Sequence, residues 1–126
     1  MPAAARMTDF WIVSQPFTFA SAGGTANLFE ITPGLEVVEV VLVIDTPFSG
    51  GTPSIDIGDA DDPDGWIDTL DVTEGTAGSY RGSAANSPYS ISGRYYAAKK
   101  HITATLSAAL VAGEGRVLAR CVDLAS

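Results

Sequence analysis

"LEVVEVVLVIDTPF", residues 35–48, is the stretch that decides the fold. Its β-branched residues alternate with period two: Val38, Val40, Leu42 and Ile44 on one face, Val37, Val41 and Val43 with Glu39 and Asp45 on the other. Both faces are apolar in the middle. Such a strand sits centrally in a sheet, or has its second face covered by a partner.

Reading outward toward the N-terminus, "TANLFEIT" (25–32) is a second strand, closed by the turn "PG" at 33–34. Before it, "FWIVSQPFTFA" (10–20) is rich in aromatic and β-branched residues, and Pro16 must bend it or keep it at a sheet edge. Residues 1–9 are small and weakly patterned, and are expected to form a flexible arm ahead of a single β domain at 10–126.

Toward the C-terminus, "SIDIG" (54–58) alternates with Ile55 and Ile57 inward. "YSISGRYYAA" (89–98) is a broken strand signal. "HITATLSAALVA" (101–112) is the clearest alternation in the chain, with Ile102, Ala104, Leu106, Ala108 and Leu110 facing one way. "GEG" (113–115) reads as a tight connection into "RVLARCVDL" (116–124), which predicts an antiparallel hairpin. No long segment has helical period. Thirteen glycines and seven prolines punctuate short strands, so the expected fold is all-β. It is an antiparallel β-sandwich or small jelly-roll-like barrel.

The 126 residues suffice for one domain with its own core. Charged residues are 17% of the chain, fewer than the about 25% of an ordinary domain, and mean hydropathy is +0.20. So few charges leave part of the surface to be covered by another chain. The net charge of −8 argues against a nucleic-acid binder, which needs cations to displace counterions from phosphates. Residues 1–75 hold thirteen of the fifteen acids and one base, Arg6. That asymmetry is open to two readings: complementary surfaces, one per half, or halves interleaved in one sheet.

The stretch "DIGDADDPDGWIDTLD" (56–71) is the candidate for chemistry. An EF-hand register with Gly65 at the sixth position puts Ala60 first and Asp71 last. Starting at Asp59 puts Pro63 fifth and Gly65 seventh. Neither supplies the ligands that calcium needs. A looser ion site from Asp59, Asp61 and Asp64 is the alternative. The preferred reading is a short helical turn near 62–70, with Asp62 as N-cap and Pro63 in the first turn. Trp66, Ile67 and Leu70 then share one side and enter the core.

No nucleophile motif, phosphate loop or dinucleotide fingerprint occurs. Cys121 and His101 are single, so neither an internal disulfide nor a zinc set can form within the chain. No catalytic, cofactor-binding or metal-ligating residue is therefore expected. Tyr80, Tyr89, Tyr95 and Tyr96 could stack sugars, which makes a carbohydrate-binding module the rival of another class. No stretch approaches the about 18 apolar residues of a membrane helix, and "MPAAARMTDF" lacks a signal-peptide core.

Between residues 40 and 122, three pieces carry a likeness: "VLVIDTPFSGGTPSIDIGDADDPDGWID", "DVTEGTAGSY" and "GRYYAAKKHITATLSAALVAGEGRVLARCV". This pattern of turns and strands resembles the small head-associated proteins of tailed bacteriophages, the decoration or cement proteins and head-fibre bases. The resemblance implies a β-rich virion protein on the outer capsid surface, often a homotrimer, that bridges major capsid subunits without cofactor or reaction. It leaves a tail or fibre component as the second structural reading. The first 35 residues carry no clear likeness; the arm at 1–9 is expected to add as a strand to a capsid sheet edge.

Overall fold

The chain folds as two antiparallel sheets with one core between them, in a computed structural model that describes residues 8–123. The strands are β1 (Thr8–Val13), β2 (Phe17–Thr18), β3 (Thr25–Ile31), β4 (Leu35–Ser49), β5 (Ile55–Gly58), β6 (Gly78–Tyr80), β7 (Arg94–Tyr96), β8 (Lys100–Leu106) and β9 (Ala112–Asp123). A single helical turn, α1 (Tyr89–Ser92), precedes β7. The larger sheet runs β1-β9-β4-β6, with β2 also on β9 and β7 also on β4; the smaller runs β3-β8-β5. The all-β sandwich expected from the strand pattern is the observed architecture.

β4 and β9 form the spine of the large sheet. Facing pairs fill the core: Val37 opposite Cys121, Val40 opposite Ala119, Leu42 opposite Val117. Ile102, Ala104 and Leu106 of β8, with Ile55 and Ile57 of β5, meet them from the small sheet. The predicted faces of β4 need one correction. The register shifts between Val37 and Glu39, so Val38 is an extra residue and the alternation changes phase there. Val37 consequently points into the core with Val40, Leu42 and Ile44, and Val38 does not.

The predicted hairpin of 101–112 with 116–124 is overturned. β8 lies in the small sheet between β3 and β5, whereas β9 lies in the large sheet between β1 and β4. The chain changes sheets over residues 107–111, with Ala109 at φ 65°. "GEG" is not a turn but part of β9. Its glycines leave room for the rings of Phe48 over Gly113 and Phe17 beside Gly115, which stack on each other at 6.0 Å.

The helical turn expected near 62–70 is also corrected. The N–H groups of Trp66 and Ile67 donate to Ile57 C=O at 3.0 and 2.9 Å, and Ile57 N–H donates to Ile67 C=O. Those donors are thus committed to β5 and cannot bond back along a helix. A 3-10 turn forms later, at Thr69–Asp71, where the Asp68 carboxylate accepts from Leu70 N–H at 2.8 Å. Trp66 and Ile67 do enter the core, but Leu70 is 78% exposed.

The two halves of the chain interleave. Asp9–Arg120, Asp45–Arg116 and Glu39–Arg81 are ion pairs between early acids and late bases. The charge asymmetry therefore mixes within one molecule and does not mark one surface per half. The expected arm at 1–9 falls on residues 1–7, outside the described residues, and on Thr8 and Asp9, which already belong to β1.

Candidate functional site

The acidic stretch folds into a knot around one carboxylate. Asp59 is fully buried. Its Oδ1 accepts from the backbone N–H groups of Asp61 and Asp62, both at 3.0 Å, a local turn that Asp is suited to close. Its Oδ2 accepts from Arg94 Nη1 at 2.6 Å and from the Tyr96 hydroxyl at 2.7 Å. Tyr96 in turn accepts from Trp66 Nε1 at 3.0 Å. The Arg94 guanidinium lies 4.9 Å from the ring centres of both Tyr89 and Tyr96 and donates through Nη2 to Asp61.

These contacts shift the groups that make them. Burial first, and the bond to Asp59 with it, pushes the Tyr96 phenol well above its usual pKa. Burial works against the Arg94 charge, but the bond to Asp61 and the field of Asp59 outweigh it and raise its pKa. Asp61 is held below the carboxylate range by its bond to Arg94 and by the Lys100 charge. A charge that needs four donors to stay buried is a fastening, and it pins loop 56–71 to β7.

The ion site considered at Asp59, Asp61 and Asp64 does not assemble, because Asp59 and Asp61 are taken by Arg94. The carboxylates that converge are Asp56, Asp64 and Asp68, with oxygens within 4.8 Å of one another. Hydrogen bonds with Asp68 and then Asp62 push Asp64 up to about 7. The crowding is relieved by a proton at neutral pH or just below.

The tyrosines do not form a stacking platform. Tyr96 is buried, Tyr89 packs edge-on against Trp66 at 5.4 Å, and Tyr80 donates its hydroxyl to the carbonyls of Thr73 and Thr76. Tyr95 has its ring exposed. Cys121 is fully buried and burial pushes its thiol up to about 11. His101 sits in β8 opposite Glu30. An open cleft of about 540 Å³ between Phe48, Gly51, Pro53 and Val72 contains one carboxylate, Glu74. That group is already committed to Ile55 N–H and the Thr69 hydroxyl.

The outer face of the large sheet is different in kind. Residues facing away from the core run in rows across β1, β9 and β4: Trp11, Arg120 and Glu39; then Val13, Leu118 and Val41. Trp11 is 47% and Val13 53% exposed. The three ion pairs named above frame this apolar centre. The chain is strongly acidic, yet here arginine and carboxylate are nearly balanced. An apolar centre with a polar, paired rim is the anatomy of a protein–protein contact. The sequence showed the two-faced apolarity of β4, but not that β1 and β9 extend it.

Searches by sequence give no relatives: no family model matches this chain, and no curated protein does. The fold does have counterparts. A chain of the cyanophage Pam1 capsid asymmetric unit superimposes with TM-score 0.70 at 15% identity, over 97% of this chain and 91% of that one. A chain of the capsid of Ralstonia phage GP4 gives 0.62 at 17% identity, over 100% and 90%. A chain of the acidic stable capsid of Helicobacter pylori bacteriophage KHP30 gives 0.61 at 18%, over 96% and 95%. This is a fold found in phage capsids. The matches run nearly end to end on both sides, so each counterpart is itself a small chain and not a domain of a large one.

Proposed function

We propose that this chain is a structural protein of a phage virion, of the decoration or cement type. It binds the outer surface of the head and bridges neighbouring major capsid subunits. The observation that carries this reading is the end-to-end likeness to chains of three phage capsid structures. A shared fold alone does not assign a role. Support comes from the near-neutral apolar face of the large sheet, which suits contact with other chains, and from a body too acidic to lie against DNA.

The mechanism is mechanical. Each copy adds modest contacts to more than one capsid subunit. Because the contacts are linked through one rigid sandwich, separating the subunits must break them together. The three-fold assembly that the family resemblance implies is one way of arranging such copies.

The test uses expanded heads assembled from the major capsid protein of the same phage genome. The protein should pellet with them to a saturable ratio and raise the temperature at which they rupture. Protein that stays in the supernatant with heads, yet is retarded in a gel of polysaccharide, would overturn the reading in favour of a carbohydrate module. Binding to purified tails and not to heads would overturn it in favour of a tail component.

A further inference from the structure

Among the described residues, every sheet edge but one is protected. β3 carries a register shift between Asn27 and Phe29 and an exposed Glu30. β5 is bridged to Ile67 by the loop that follows it. β6 and β7 are three residues long, and β2 only two, just after Pro16. Short strands, bulges, charges and covering loops are the usual devices against edge-to-edge pairing. Among the described residues β1 has only one of them, the Asp9 charge, and Arg120 pairs it at 2.6 Å. The strand is six residues in unbroken register with β9, without proline or lysine.

The direction of its free groups is set by one hydrogen bond. Ser14 N–H donates to Val117 C=O at 2.8 Å, directly opposite it, so the even-numbered residues of β1 bond to β9. Asp9, Trp11 and Val13 therefore turn N–H and C=O to the open edge. Their side chains lie on the outer face, where Trp11 and Val13 are exposed.

We propose that β1 pairs with β1 of a second copy of this chain, antiparallel about a two-fold axis through Trp11. An identical strand matches the alternation automatically: Trp11 meets the second copy's Trp11, and Asp9 meets its Val13. This register satisfies all three outward residues with about six inter-chain hydrogen bonds. It joins the two apolar outer faces into one. It also holds the two Asp9 carboxylates about 13 Å apart, four residues along the strand.

Charge favours a second copy at this edge above others. Two chains of −8 repel, but Asp9 is neutralised by Arg120 at 2.6 Å, and the neighbouring face is nearly balanced. The inference concerns the chain alone and does not rest on the capsid reading. It replaces a three-fold assembly with a pair, since a contact between identical strands closes on itself.

Sedimentation equilibrium of the full chain decides it. The expected mass is twice the 13.0 kDa of one chain. A trimer, or a monomer at every concentration up to about millimolar, overturns the proposal. Val13→Pro removes an N–H that the monomer does not use, and should weaken pairing about tenfold or more. Unchanged pairing in folded Val13→Pro protein would also overturn it. Should that variant fail to fold, Trp11→Cys gives an independent reading. Mild oxidation should link two copies through position 11, whereas an unlinked product means that the two strands do not meet there.

Discussion

The Asp59 carboxylate lies 2.6 Å from Arg94 Nη1, a partner 35 residues further along the chain, and no part of it reaches solvent. An amide at this place sets an NH2 group against the Arg94 and Tyr96 donors that Oδ2 accepted, although Arg94 keeps its bond to Asp61. Asp59→Asn should cost about 3–5 kcal/mol. Tyr96→Phe, which removes a hydroxyl but no charge, should cost about 1–3 kcal/mol. Asp61, half exposed, contributes less, and Asp61→Asn should cost at most about 1 kcal/mol. Urea midpoints at constant slope rank the three. An Asp59 variant as stable as the parent would remove the knot from the account of the loop.

The proton on Asp64 gives a second prediction. Its folded pKa of about 7 lies above the ordinary 3.8, so the folded state holds this proton more tightly than the unfolded chain. Its contribution to stability is fully present below about pH 4 and is lost as pH rises through about 7. Asp64→Asn should flatten that decline, so that the variant gains on the parent between pH 5 and pH 8, as melting temperatures would record. Parallel pH profiles for the two proteins would count against it.

Gly113 sits in β9 at φ 133°, and a Cβ there would run into the Phe48 ring. Gly113→Ala should therefore cost about 1–3 kcal/mol from overpacking, with backbone strain in addition. Phe48→Leu alone should destabilise, yet in the Gly113→Ala background it should cost much less. Thermal melts of the four proteins in the cycle measure this coupling.

Cys121 faces Phe10 and Val37 across the sheet, with its thiol pushed up to about 11. A thiol reagent at pH 8 should label it only as fast as the large sheet opens. Labelling should accelerate with urea in step with unfolding. Rapid labelling of the native protein would show that β9 is not held as described.

The strands were largely legible because β-branched alternation is local. β3, β4, β5, β8 and the later part of β9 overlap runs marked by Val, Ile and Thr. Sheet membership was not, because Ile102 and Val117 carry the same apolar signal whichever sheet they join. The glycines at 113 and 115 read as a turn because nothing local shows the Phe17 and Phe48 rings that need the space. Leu70 matched a helical spacing, but the donors at Trp66 and Ile67 had gone to Ile57. The knot left two faint signals. Asp59 precedes two residues whose N–H groups it can accept, and Arg94 and Tyr96 are two apart on one strand. Only the fold shows that they meet.

β9 holds β1 on one side and β4 on the other, although it is the latest in sequence of the described strands. While the ribosome is still adding it, Val40, Leu42 and Ile44 have no neighbour along that flank. Closure depends on contacts far apart in sequence, so ordering must wait until β9 has left the exit tunnel. A product cut short before Ala112 lacks the strand that joins β1 to β4, and leaves both of their inner edges open.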